Sequence, residues 1–314
     1  MANNNQIIGL DIGGTKCAVI LANQTGSIIS STRIPTTTYP HTIESLFSEV
    51  EKFKPSCDTL FGVSCGDPQD SRRGIILSPP NLPGWDNVPI TAMLEKRFGG
   101  KAYLMNDANA GALAEWRFGA GRGAESMVFI TCGTGFGAGL ILDNRLYEGA
   151  TGAAGEIGHV RLEPDGPVGY GKAGSVEGFC SGGGIALLAQ KIIRAEGLTS
   201  AFGGKPVDQI TARDAGIAAD AGDPLAIRIF SESGRYLGRA LAVLVDILNP
   251  QRIILGSVFV RCRKHLEPSM HEALRKEGLA HAVNACRIVP AELGESIGDI
   301  AAVTVALYRA GKLS

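Results

Sequence analysis

Apolar and polar positions come in short blocks along the first forty residues. Residues 7–12, 18–21 and 28–34 are β-prone runs, separated by Gly13-Gly14 and by Asn23-Gln24-Thr25-Gly26. Three such runs with tight breaks predict an antiparallel meander. The apolar spacing then predicts a helix over 42–53, a strand at 59–63, a proline- and glycine-rich loop to Pro89, a helix to Arg97, a strand at 102–105 and a helix over 108–118. At residue 127 the opening pattern restarts: a strand at 127–131, a glycine turn at 132–137, a strand at 138–142, a turn at Asp143-Asn144 and a further short strand. From Gly178 onward helical spacing dominates, with a long helix over 224–248. A strand at 252–255 opened by Asn249-Pro250, a helix over 263–276, a strand at 287–289 and a last helix over 297–308 complete the chain.

The repeated unit of strand, glycine turn and strand is informative, because a dinucleotide-binding unit places a helix after its glycine turn. Gly133-Thr134-Gly135-Phe136-Gly137 runs on into Gly139-Leu140-Ile141-Leu142, which is β-prone, so a Rossmann reading is set aside. No GxxxxGK[ST] is present, and a P-loop is not the phosphate device. A length of 314 residues suits two lobes, each with its own core, and a cleft. The formal net charge is -1 with no long run of one sign, which favours neither nucleic acid nor an anionic membrane as partner. Seven cysteines, an odd number without a CxxC pair, read as a reducing compartment. The start at residues 1–6 is short and polar, and no apolar stretch approaches the roughly 20 residues that span a bilayer. A cytoplasmic protein is expected.

Four segments carry candidate chemistry. Asp11-Ile12-Gly13-Gly14-Thr15-Lys16 ends an apolar strand with a carboxylate and two glycines. It reads either as a tight hairpin whose glycines supply positive φ or as a turn whose bare N–H groups meet a polyphosphate. A second glycine turn over 131–137 favours the latter: two hairpins grip phosphates, Asp11 holds a hydrated Mg²⁺, and Thr15, Lys16 and Thr134 offer polar contacts. Asn106-Asp107 follows a strand and precedes a helix, so Asp107 is either an N-cap or a carboxylate placed to take a proton. Glu156 and His159 are three residues apart, and one helical turn would put both against a pyranose, although a lone histidine is more often structural.

These segments resemble the actin, hexokinase and Hsp70 ATPase superfamily, and their wording resembles the ROK family of sugar kinases and repressors. The marks are Gly9-Leu10-Asp11-Ile12-Gly13-Gly14-Thr15-Lys16, Asn81-Leu82-Pro83-Gly84-Trp85, Asn106-Asp107-Ala108-Asn109, Cys132-Gly133-Thr134-Gly135, Gly155-Glu156-Ile157-Gly158-His159, and Asn249-Pro250 leading into Ile253-Ile254-Leu255-Gly256. The resemblance implies an α/β, two-lobed, actin-like ATPase (ribonuclease H-like) fold with a central cleft. Its small lobe would be residues 1–118 joined by the helix of 297–314, and its large lobe 119–296. It implies ATP-dependent phosphorylation of a hexose or N-acetylhexosamine, glucokinase-like at the 6-hydroxyl, by a homodimer. Asp107 becomes the base, and Gly66, Asn81, Asn106, Asp107, Glu156, His159 and Glu177 the sugar contacts. Asp11, Gly13, Gly14, Thr15, Lys16, Thr131, Gly133, Thr134, Gly135 and Gly256 become the contacts to ATP and, through water, to Mg²⁺.

Two departures stand out. The family commonly carries C-x-C-G-x-x-G-C-x-E, whose cysteines join a histidine on structural zinc, but those positions are Val168, Tyr170 and Ser175 here. No zinc is expected, with Val168 and Tyr170 packing the loop instead and His159 left to the sugar. Gly256-Ser257-Val258 stands where the family has a glycine run near adenosine, and residues 294–302 match the adenine-side segment imperfectly. Asp11 lies eleven residues from the start, with no helix-turn-helix ahead of it and no basic recognition helix, so DNA binding is not expected. The rival reading is a sugar-binding or sensing protein that keeps the fold without turnover.

Overall fold

Where isoleucine, valine and leucine crowd the opening runs, strands form, and they pair as the short breaks between them dictate. The computed structural model describes residues 6–313. Most of the polar start read at 1–6, and Ser314 at the end of the final helix's expected span, lie outside the described residues. Two compact units result. One holds the described residues up to Arg122, Glu148–Gly152 and those from Leu293 onward; the other holds Gly123–Tyr147 and Ala153–Glu292.

In the first unit a five-stranded sheet runs in the order Ile28–Pro35, Lys16–Ala22, Ile7–Ile12, Leu60–Cys65, Lys101–Asn106. The first three are antiparallel and the last two parallel to the central one. Register aligns Ile12 with Cys65 and Cys65 with Asn106. Asp11, Gly66 and Asp107 therefore emerge together at the carboxyl ends of parallel strands, the edge at which open α/β sheets bind ligands. The second unit repeats the order with Arg145–Tyr147, Phe136–Leu142, Met127–Cys132, Arg252–Leu255 and Arg287–Pro290, again three antiparallel and two parallel. Ile130 pairs with Leu255, so Thr131 and Gly256 leave the sheet at one edge.

The helix Ile297–Arg309 lies on the first sheet although it closes the chain, and Val303, Ala306 and Leu307 share a core with Ile7 and Ile20. Gly62 allows this approach, since a Cβ there would overlap the Ala302 carbonyl. In the second unit the 25-residue helix Pro224–Leu248 begins with Asp223 accepting from the N–H groups of Leu225 and Ala226, and ends at left-handed Asn249, φ 45°. Two readings need correction. The stretch expected as a loop up to Pro89 holds short strands Gln69–Asp70 and Ile75–Ile76, and its Ile76, Leu82 and Trp85 are fully buried. The helix expected over 263–276 begins at Val258, with a kink at Cys262, φ -113° and ψ 21°. Among the described residues no helix is long and apolar enough to cross a membrane.

Candidate functional site

Asn106, extended at φ -60° and ψ 143°, is the residue that caps the helix Asp107–Phe118. Its Oδ1 accepts from the N–H groups of Ala108 at 2.8 Å and Asn109 at 3.2 Å, and its Nδ2 donates to the Asp67 carboxylate. Both ends of the amide are thus engaged, and a sugar hydroxyl reaching Asn106 would compete with these partners. Capping by Asn106 removes the N-cap reading of its neighbour. Asp107 occupies the first helical position, reached by solvent yet with protein crowding around its carboxylate. Desolvation raises its carboxyl above the usual aspartate range, opposed by the backbone N–H groups of Ala108 and of Asp107 itself. A Cβ placed on Gly66 would meet only Asp107 Oδ2, at 4.0 Å, so room for a reacting group stays open beside the carboxylate.

At the same sheet edge Asp11 is partly buried, and its pKa is pushed up to about 6. Desolvation is the main cause, followed by the like charges of Asp107 and Asp299, while Lys16 and Arg33 pull it down. Asp299, 7% exposed in the first turn of the last helix, is held by Arg33 Nη2 at 3.1 and 3.2 Å from its two oxygens. Gly298 brings that helix start against Asp11, since a Cβ there would overlap Oδ2. Between about pH 4 and pH 6 the folded chain keeps a proton that the unfolded chain releases. The carboxylate therefore costs stability as pH rises through that window, about 3 kcal/mol above it. Asp11→Asn is expected to raise the thermal midpoint of the metal-free protein at pH 8 and leave it nearly unchanged at pH 4; equal shifts at both would exclude charge as the cause.

Neither Gly13 nor Gly14 lies in the left-handed region, which removes positive φ as the reason for the pair. Closeness is the reason at Gly14, where a Cβ would sit 2.5 Å from the Asn81 carbonyl oxygen. Asn81, exposed beside buried Leu82, thus packs its backbone on the first glycine turn. Thr36 pins that turn by donating to the Gly13 carbonyl at 2.6 Å and to Thr15 O through its N–H at 3.0 Å, leaving Thr15 and Lys16 exposed. Nothing local in the sequence marked Thr36, Arg33, Asp67 or Asp299.

In the second unit Thr134 and Gly135 are exposed on the turn, and around Gly133 a Cβ would find nothing nearer than Thr131 Oγ1 at 3.8 Å. Glu177 reaches this turn rather than standing apart from it: its Oε2 accepts the Phe136 N–H at 3.0 Å. Glu156 precedes the 3₁₀ turn Ile157–His159, whose His159 N–H bonds to Glu156 O at 3.1 Å, which puts the two residues at the ends of one short turn. Gly256 is buried, with its N–H on Ile130 O at 2.9 Å. Next to it Ser257 takes φ 56° and ψ -116°, a combination natural to glycine and strained for serine. Ser257→Gly is expected to stabilise by about 1 kcal/mol, read as a higher urea midpoint with an unchanged slope; a lower midpoint would show that the 3.4 Å contact of Ser257 Oγ with Thr131 Oγ1 outweighs the strain.

The first unit thus gathers Asp11, Gly13, Gly14, Thr15, Lys16, Gly66, Asn81, Asn106 and Asp107. The second gathers Thr131, Gly133, Thr134, Gly135, Glu177 and Gly256 at its sheet edge, with Glu156 and His159 on their turn. Both turns present glycine backbone at the surface, where a polyphosphate can come close, at Gly13 beside the Asn81 contact and at Gly133 away from the Glu177 carboxylate. Asp11 fits a hydrated Mg²⁺ as one hard oxygen donor. Among the described residues no group of three or more His, Cys, Asp or Glu is placed to hold a metal by itself. Structural zinc does not fit: Val168, Tyr170 and Ser175 offer no thiolate, and the buried Cys180 Sγ faces Ser233 O at 3.8 Å. Neither Val168, 51% exposed, nor Tyr170, 62% exposed, fills the interior of the loop as expected of both.

A model of the ROK family matches residues 7–308. A glucokinase of Streptomyces coelicolor is 35% identical over 257 residues, covering 79% of this chain and 80% of that protein. A xylose repressor of Caldicellulosiruptor bescii is 31% identical over 262 residues, covering 80% of this chain and 65% of the repressor. The crystal structure of a ROK family glucokinase from Streptomyces griseus, in complex with glucose and AMPPNP, superimposes with a TM-score of 0.77 at 31% identity, covering 96% of this chain and 99% of that one. Two sheets of one topology, each headed by a glycine turn, make this the actin-like ATPase fold.

Proposed function

This chain belongs to the ROK family, and from that premise we propose that it transfers the γ-phosphoryl group of ATP to a hexose or N-acetylhexosamine, glucokinase-like at the 6-hydroxyl. The observation that carries the reading is Asp107: its neighbour caps the helix, so the carboxylate is available, with open space beside Gly66 and a raised proton affinity. Asp107 takes the proton of the sugar hydroxyl as that oxygen bonds to the γ-phosphorus, and the bond from phosphorus to ADP breaks in line. A proton affinity closer to neutrality makes the carboxylate a better acceptor than an ordinary aspartate. Gly66, Asn81, Asn106, Glu156, His159 and Glu177 orient the sugar. The N–H groups around Gly13, Gly14 and Gly133 to Gly135 hold phosphate oxygens, with Thr15, Lys16, Thr131 and Thr134 beside them and Gly256 toward the nucleoside. Mg²⁺ on Asp11, through water, supplies charge that offsets the transferring phosphoryl group. Seven unpaired cysteines support a cytoplasmic setting, and the homodimer rests on family resemblance.

A second reading, sugar binding without turnover, is favoured by the similarity to a xylose repressor. An assay of ADP release from Mg-ATP across hexoses and N-acetylhexosamines separates the two. Sugar-dependent release supports the kinase and names its substrate class. Calorimetric binding of a sugar with no release by any member of the panel would replace it with the second reading.

A further inference from the structure

Where the family resemblance implies a zinc site, this chain has built something else. We propose that the hairpin closing at Tyr170-Gly171 holds His159 in its binding orientation, with Tyr170 and Lys172 as positioning residues. The inference rests on the reading of His159 as a sugar contact.

Strands Val168–Gly169 and Lys172–Ala173 pair in register, Gly169 opposite Lys172. Two successive left-handed residues join them, Tyr170 at φ 42° and Gly171 at φ 76°. That is the geometry of a tight two-residue hairpin turn, in which the first position normally goes to Asn, Asp or Gly. A tyrosine there is strained, and what it gains lies outside the turn. Its ring meets the His159 imidazole edge-to-face, with centroids 5.2 Å apart and planes at 88°. From the opposite strand Lys172 Nζ donates to the His159 carbonyl at 2.7 Å, a charge-assisted bond. One contact fixes the ring and the other the backbone, the two things a zinc–histidine bond would fix at once. The third former metal position is also reused: the Ser175 hydroxyl accepts the Gly178 N–H at 3.1 Å and caps the short helix that carries Glu177. Tyr170 itself stays 62% exposed, so its hold on His159 is the ring edge alone, and Val168, 51% exposed, is not part of the arrangement.

The test compares Tyr170→Ala, Tyr170→Phe, Lys172→Met and His159→Ala in the full chain. The His159 ring signals are assigned by their loss in His159→Ala, which is practical in a protein with five histidines. These signals should shift in Tyr170→Ala and stay in place in Tyr170→Phe, which keeps the edge contact. Tyr170→Ala and Lys172→Met should each weaken sugar binding, measured by calorimetry with the most stimulating sugar of the panel or else glucose, by about 3- to 10-fold. Turnover should stay within about twofold of wild type, and Tyr170→Phe should bind normally, since the base lies elsewhere. Unmoved ring signals in Tyr170→Ala would overturn the proposal, as would stoichiometric zinc in the purified protein. Normal sugar affinity in both Tyr170→Ala and Lys172→Met, with affinity lost in His159→Ala, would overturn it while leaving the sugar reading intact. Normal affinity in His159→Ala itself would instead remove the sugar reading on which the proposal rests.

Discussion

Asp107→Asn is expected to lower turnover on the order of a thousandfold or more while sugar affinity stays within a few-fold of wild type. The amide keeps the shape and polarity of the carboxylate but cannot take the hydroxyl proton. Folding should be unaffected, because the cap of the helix Asp107–Phe118 belongs to Asn106 and not to Asp107. Asn106→Ala should instead lose stability and weaken sugar binding. It removes an acceptor from two N–H groups and a partner from Asp67, at a cost of about 1 kcal/mol of stability typical of a lost cap. Steady-state kinetics with the preferred sugar, alongside thermal unfolding of both variants, separates these outcomes. Turnover in Asp107→Asn within tenfold of wild type would remove the base role.

The largest stability effect is expected at Glu115, which no reading of the sequence singled out. Its side chain is completely buried. Oε1 accepts the Leu293 N–H at 3.0 Å, and Oε2 accepts the Ala120 N–H at 2.8 Å. Gly119 packs so closely that a Cβ there would overlap Oε2. These two N–H groups sit at places of topological weight, because the chain leaves the first unit after Arg122 and, after a brief return at Glu148–Gly152, comes back to it for good at Leu293. One carboxylate thus ties down the segment before departure and the segment after return. Glu115→Ala deprives both N–H groups of this acceptor and opens a cavity, which should cost about 3 to 5 kcal/mol and lower the thermal midpoint by about 5 to 10 °C. Glu115→Gln should fall between, since its NH₂ group can satisfy neither N–H. Calorimetric unfolding decides: a Glu115→Ala midpoint within about 1 °C of wild type would mean that water or a relaxed backbone takes over both bonds.

The sequence alone determined whatever is local. The helix Pro224–Leu248 and the strand Arg252–Leu255 were legible to the residue, because Asp223, Pro224, Asn249 and Pro250 act within a few positions of the ends they set. Each three-stranded meander was legible because its turns are short, and their repetition exposed the doubled architecture. Asp11 and Asp107 were legible as carboxylates at strand ends, where register later put them at one edge. Tertiary structure alone decided the rest. Two adjacent cap-forming residues, Asn106 and Asp107, look equivalent in sequence; Asp67, thirty-nine positions away, helps hold the Asn106 amide where it caps. The pair Gly13-Gly14 reads in sequence as a demand for positive φ or as a phosphate turn; neither glycine takes positive φ, and Gly14 answers to Asn81 packed against it. The elevation of the Asp11 pKa needs Asp299 from the far end of the chain, and the anchoring of that acid needs Arg33, 266 positions earlier. Local signals specify turns, caps and strands because those forces act over a few residues; desolvation, close packing and charge coupling depend on which distant segments the fold brings together.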